Sequence, residues 1–153
     1  MTRSSALLLA CLIGFCAGPV RAGEAVGLDV VLVSASGRGG EPTFDPRIPA
    51  NVQEKLRKSA LAYSRYTFAG RQQQTAPYGS DAAFSLPNGE SLAIRPSPNA
   101  SRTHPVRLDI RVLSRGRSLM KTQVRARYGS PLIIHRPTSN PPLLIAITAN
   151  KAR

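Results

Sequence analysis

Residues 105–128 read PVRLDIRVLSRGRSLMKTQVRARY. Two alternating runs flank Arg115-Gly116-Arg117. In the first, Val106, Leu108, Ile110 and Val112 fall on one side of a strand, and Arg107, Asp109 and Arg111 on the other. In the second, Met120, Thr122, Val124 and Ala126 oppose Lys121, Gln123, Arg125 and Arg127, because strand side chains alternate with a period of two. Keeping the apolar sides together requires pairing residues of the same parity. A three-residue loop at 115–117 does this. It sets Arg111 opposite Lys121, Asp109 opposite Gln123 and Arg107 opposite Arg125. A slip of one residue would turn the arginines into the core. The segment is therefore an antiparallel pair with one strongly basic face.

The pattern continues on both sides. Upstream, Ala82–Leu86 and Ser91–Arg95 flank Pro87-Asn88-Gly89-Glu90, and Asn-Gly between two short β runs is a hairpin signal. Ser97–Thr103 reads as a polar loop. Downstream, Leu132–His135 and Leu143–Ala149 form a further pair joined by the Pro-rich turn 137–142. The last run, LLIAITA, is apolar on both faces and belongs in the centre of a sheet or under cover on both sides. Arg65–Gln74 reads as another strand, with Tyr66 and Phe68 on one face.

The spacing predicts a single helix over 52–63. Asn51 stands as N-cap with Glu54 three residues later, the capping-box spacing. Val52, Leu56, Ala60 and Tyr63 make one apolar stripe. Before it, Gly27–Val33 (GLDVVLV) is a β-branched first strand. Residues 37–50 form a long Gly/Pro connection. Gly37, Arg38, Gly39 and Gly40 could present backbone N–H groups to an anion, but no Lys-Ser/Thr follows to make a phosphate loop. The sequence thus predicts one α+β domain, a single N-terminal helix packed on a mostly antiparallel meander. The alternative is a β-sandwich with one helix.

The N-terminus has the features of an export signal. Arg3 supplies a positive start, Ala6–Phe15 is a short apolar run, and Val20-Arg21-Ala22 fits a signal-peptidase site before Gly23. The division expected is 1–22 as signal peptide and 23–153 as one exported domain. Both cysteines, Cys11 and Cys16, lie in the leader, so the remaining 131 residues carry no thiol. This favours a periplasmic setting over a small disulfide-bonded secreted module. A lipid anchor on either cysteine is the less favoured alternative. No second apolar run near 20 residues follows, so no membrane span is expected after the leader.

Of the 21 Lys and Arg, two lie in the leader; the other 19 face 8 Asp and Glu, for a net charge of +11. Such a surface attracts anions. Nucleic acid is disfavoured, because the basic strands carry no interleaved aromatic platforms and export removes the protein from most nucleic acid.

Catalytic patterns are thin. There is no Gly-x-Ser-x-Gly elbow and no His-Glu-x-x-His. His104 and His135 are not spaced with carboxylates for a metal. A Ser34/His104/Asp109 triad has nothing in its spacing to favour it. Asp29 interrupts an apolar strand, which a salt bridge to an arginine across the sheet would explain. Asn99-Ala100-Ser101 is a glycosylation sequon, relevant only in a eukaryotic host. No cofactor and no metal is expected.

The resulting expectation is an exported, non-catalytic envelope binding domain. Arg107, Arg111, Lys121, Arg125 and Arg127 would meet an anionic envelope component or an acidic protein. Two alternatives are an inhibitor or assembly partner of a larger periplasmic machine acting through sheet-edge pairing, and a hydrolase with an unrecognised site.

Overall fold

The computed structural model describes residues 24–153. The leader, its cleavage before Gly23, and Cys11 and Cys16 lie outside the described residues. The elements in chain order are β1 (Ala25–Ser36), β2 (Thr43–Phe44), α1 (Ala50–Lys58), β3 (Arg65–Pro77), β4 (Ala82–Ser85), β5 (Glu90–Pro98), β6 (Val106–Ser114), β7 (Arg117–Ala126), β8 (Leu132–Arg136) and β9 (Leu143–Lys151). They form two sheets. Sheet A has the order β2-β3-β1-β9-β8, and sheet B the order β4-β5-β6-β7.

The α+β expectation is overturned. The described residues are mostly β, 56% strand against 9% helical, and among them no helix lies on a single meander. The β-sandwich alternative fits. Only sheet B is a meander. In sheet A the first strand sits in the middle, between β3 and the last strand β9. The reason is in β1 and β9 themselves. Both are apolar on two faces, so they must lie side by side at the centre of a sheet covered on both sides. β9 is buried from Leu143 to Ala149, as its sequence demanded.

Two cores result. Between the sheets, Leu28, Val30, Ile145 and Ile147 meet Phe84, Leu92, Ile94, Leu108 and Ile110. On the far side of sheet A, Val31, Val33, Leu144 and Ala146 meet Val52 and Leu56 of α1, with Ile48 and Tyr66. The helix therefore covers the outside of the sandwich.

The helix is also shorter than expected, at Ala50–Lys58. Pro49, not Asn51, precedes its first turn, and Val52 and Gln53 donate to the Pro49 carbonyl. Glu54 makes no capping box; it pairs with Lys58 one turn later at 2.6 Å. The helix stops because the Ser59 hydroxyl and amide both donate to the Leu56 carbonyl, and Ser59 turns extended. A serine offering its own side chain to the backbone competes with helix continuation. Ala60 is left exposed, and Tyr63 reaches the same core from beyond the helix, edge-on to Tyr66.

The Gly/Pro connection read over 37–50 is tied down at several points, and its last residue already belongs to α1. β2 pairs in parallel with β3. The Asp45 carboxylate accepts from the Arg47 backbone and guanidinium and from the Phe68 amide. The Arg47 guanidinium, first among these, holds that carboxyl far below the usual range. Gly37 adopts φ 73°, and a Cβ there would collide with the Ser64 hydroxyl. Glycine takes this left-handed turn out of β1 at the least cost and leaves the Ser64 hydroxyl in place.

Among the described residues, no helix is long and apolar enough to cross a membrane.

Candidate functional site: the basic face of sheet B

Among the described residues no element covers the outer face of sheet B. Its β6–β7 pair, at one edge of the sheet, has the register that hydrophobic parity requires: Arg107 opposite Arg125, Asp109 opposite Gln123, and Arg111 opposite Lys121. The connection differs in detail. The turn has two residues, Arg115 and Gly116, both left-handed at φ 49° and 76°. Leu113 faces Ser118 while Val112 faces Met120, so Leu119 is an extra, bulged residue. A two-residue turn alone would shift β7 by one and invert its faces. The bulge restores the parity that a three-residue loop was expected to supply.

β5 completes the face. Its outward residues Ala93, Arg95 and Ser97 lie beside Arg111, Asp109 and Arg107. Arg95 was not among the residues singled out from the sequence, nor was Asp81. The signal for Arg95 was present, since it alternates with the apolar Leu92 and Ile94 in the Asn-Gly hairpin. Asp81, just before β4, accepts from Arg95 Nε at 2.9 Å and from Arg111 Nη2 at 2.7 Å. Those two guanidiniums, Arg95 foremost, hold its carboxyl below the ordinary range. Asp109 accepts from Gln123 Nε2 at 2.5 Å.

The face divides in two. Toward β4, Arg95 and Arg111 share one acid. Toward the 99–105 loop, Arg107 and Arg125 stand opposite each other, and Arg127 follows, its Nε donating to the Thr103 carbonyl at 3.3 Å. Arg107, Lys121, Arg125 and Arg127 enter no ion pair among the described residues. Directly opposed like charges on a sheet cost about 0.2–1 kcal/mol. An anion placed between them removes that repulsion. Arg95, Asp109, Arg111, Lys121, Thr122 and Gln123 line an open depression of about 510 Å³.

The other sequence candidates are not assembled into a site. Ser34 lies in sheet A, His104 Nδ1 is engaged by Thr103, and Asp109 by Gln123. Asp29 is held by Arg71 through two bonds of 3.0 and 2.6 Å, the cross-sheet salt bridge its sequence position called for. His135 sits exposed on the edge strand β8, with Nε2 2.9 Å from the Tyr63 hydroxyl. Among the described residues no three His, Cys, Asp or Glu are grouped to hold a metal.

Comparison with protein-family models, with curated proteins and with solved structures finds no match to this chain.

Proposed function

We propose that the protein is an exported, non-catalytic binding domain that docks an anionic envelope component or acidic protein on the outer face of sheet B. The observation that carries this reading is the charge on that face. Six cations, Arg95, Arg107, Arg111, Lys121, Arg125 and Arg127, share one bare side of the sandwich with two acids, Asp81 and Asp109. Four of the six have no ion-pair partner among the described residues. Guanidiniums presented on rigid strands lose little freedom when they engage phosphate or carboxylate groups.

The edge-pairing alternative has narrower support. The outer edge of β4 is already occupied: the Gln72 side chain exchanges two hydrogen bonds with Ser85, and Gln74 donates to the Ala83 carbonyl. The open edge of β7 carries a bulge and charged side chains, features that discourage strand addition.

The test is retention of envelope material on immobilised protein at low and high salt, with polyphosphate titration alongside. Arg107→Ser/Arg125→Ser should remain folded and lose most of its polyanion affinity. Wild-type binding should fall steeply with salt, since exposed charges are screened over about 8 Å at physiological ionic strength. Binding indifferent to both the substitutions and salt would overturn the assignment.

A further inference from the structure

The β6–β7 hairpin ends in a feature that the sheet-face reading does not use. Leu119 is 52% exposed, the one exposed large hydrophobic side chain among the described residues. The bulge explains why an extra residue sits at 119. It does not explain why that residue is leucine, because a bulged side chain turned to water gains nothing from being apolar. Leu113, near it on the facing strand, is only half-buried and belongs to neither core. Arg115, Arg117 and Lys121 surround the pair along the chain, and none has an ion-pair partner among the described residues. The acids nearest in register are engaged elsewhere: Glu90, opposite Ser114, holds Arg136, and Asp109, opposite Gln123, accepts from the Gln123 amide.

From this we infer that the hairpin tip, Leu113 with Arg115–Lys121, is a contact site for an anionic lipid surface. Leu119 enters the boundary between headgroups and acyl chains, and Arg115, Arg117 and Lys121 lie on the lipid phosphates. Apolar tips flanked by cations match that interface, where burial of hydrocarbon and attraction to anionic headgroups add together. The chemistry selects lipid over a soluble polyanion, which has no use for a leucine. It also selects lipid over a protein groove partner, which would need a wider apolar patch than two leucines. The contact is weak and reversible, as expected of a single inserted side chain. It goes beyond the proposed function: only Lys121 is shared with the sheet face, while Leu113, Leu119, Arg115 and Arg117 lie outside it.

The test uses residues 23–153, because the apolar stretch 6–15 would itself partition into lipid; both cores lie wholly within this span. The protein has no tryptophan. Leu119→Trp therefore gives a single reporter at an exposed position where substitution leaves the core intact. Its emission should shift to the blue with vesicles of phosphatidylglycerol and phosphatidylethanolamine, not with phosphatidylcholine alone, and return as salt rises. In the otherwise unchanged protein, Leu119→Ser should lower partitioning onto the anionic vesicles about three- to tenfold, equivalent to one or two newly buried carbon atoms, because the side chain is already about half covered. Arg115→Asn/Arg117→Ser should weaken it further. The blue shift should persist in Arg107→Ser/Arg125→Ser, which separates failure of the tip from failure of the sheet face. Tryptophan emission unmoved by the anionic vesicles in Leu119→Trp, or Leu119→Ser partitioning as well as the parent, would overturn the inference.

Discussion

The two outer faces of the sandwich have opposite fates. On sheet A, Val31, Val33, Leu144 and Ala146 point outward and are buried by α1. On sheet B, the corresponding outward positions hold Arg107, Asp109, Arg111, Lys121, Gln123 and Arg125, and no described element covers them. Both sheets share the same inner core. The difference teaches that the number of apolar faces on the strands fixes the number of layers. A strand apolar on two faces recruits a cover, and a strand apolar on one leaves the other face to water and to function. The strongest way to break this contrast is to remove the cover. Leu56→Ala, at a fully buried helix position, should cost about 2–5 kcal/mol. Arg111→Ser/Arg125→Ser on the bare face should stay within about 0.5 kcal/mol per site. Urea unfolding of the two variants measures both. Equal losses would mean that the basic face is a structural layer.

A second contrast sets the inside of the sandwich against its surface. Glu90 opens β5 and Arg136 closes β8, so their ion pair at 3.1 Å joins sheet B to sheet A. The side chains are only 20% and 12% exposed. Arg136 Nη2 makes a hydrogen bond of 3.2 Å to Glu90, while Nη1 is close to the carboxylate without hydrogen-bond alignment. Removing the acid strands a nearly buried cation. Glu90→Ala should therefore cost about 2–3 kcal/mol, below the roughly 3–5 of a wholly buried pair. Adding Arg136→Met should recover much of that loss in the same urea titration. If the double variant is no more stable than the single, the pair is not acting as a buried charge couple.

Much of sheet B was legible because its information is local. Parity in 105–128 gave the register, and Asn88-Gly89 gave the preceding hairpin. What the sequence could not show was partition between sheets. β1 and β9 are more than 100 residues apart, and their apolar runs say that each needs neighbours without saying which. The helix was over-extended because Ala60 and Tyr63 continued the apolar spacing, while the stop signal was one hydroxyl, Ser59, choosing a carbonyl. Within the site, five of the cations on 105–128, Arg107, Arg111, Lys121, Arg125 and Arg127, were found by parity. Asp81 was not, because it lies outside any strand and reaches Arg111 only once β4, β5 and β6 are aligned. A three-residue loop and a two-residue turn with a bulge give the same register from Val112 and Met120 onward, and the outward parity includes Leu119 in both; what the sequence did not show is the bulge itself.

The finest contrast lies within the bare face, between its neutralised half and its free half. Asp81 competes with any incoming anion for Arg95 and Arg111. Asp81→Asn keeps the size of the side chain and removes the charge. Exposed ion pairs of this kind are worth about 0.2–1 kcal/mol, so freeing them should raise affinity for polyphosphate about 1.4- to 5-fold at neutral pH. The direction with pH follows from the carboxyl being held below its ordinary value by Arg95 and then Arg111. Such a group stays ionised as pH falls through the usual carboxylate range and protonates only below it. The stability it contributes is present above the unfolded value of 3.8 and is lost as pH falls through the lower folded value. The affinity difference between the parent and Asp81→Asn should therefore persist down to about pH 4 and close only below it. Titrations across that range test the division of the face. A gap that closes at or above about pH 5 would mean that another acid, and not Asp81, restrains Arg95 and Arg111.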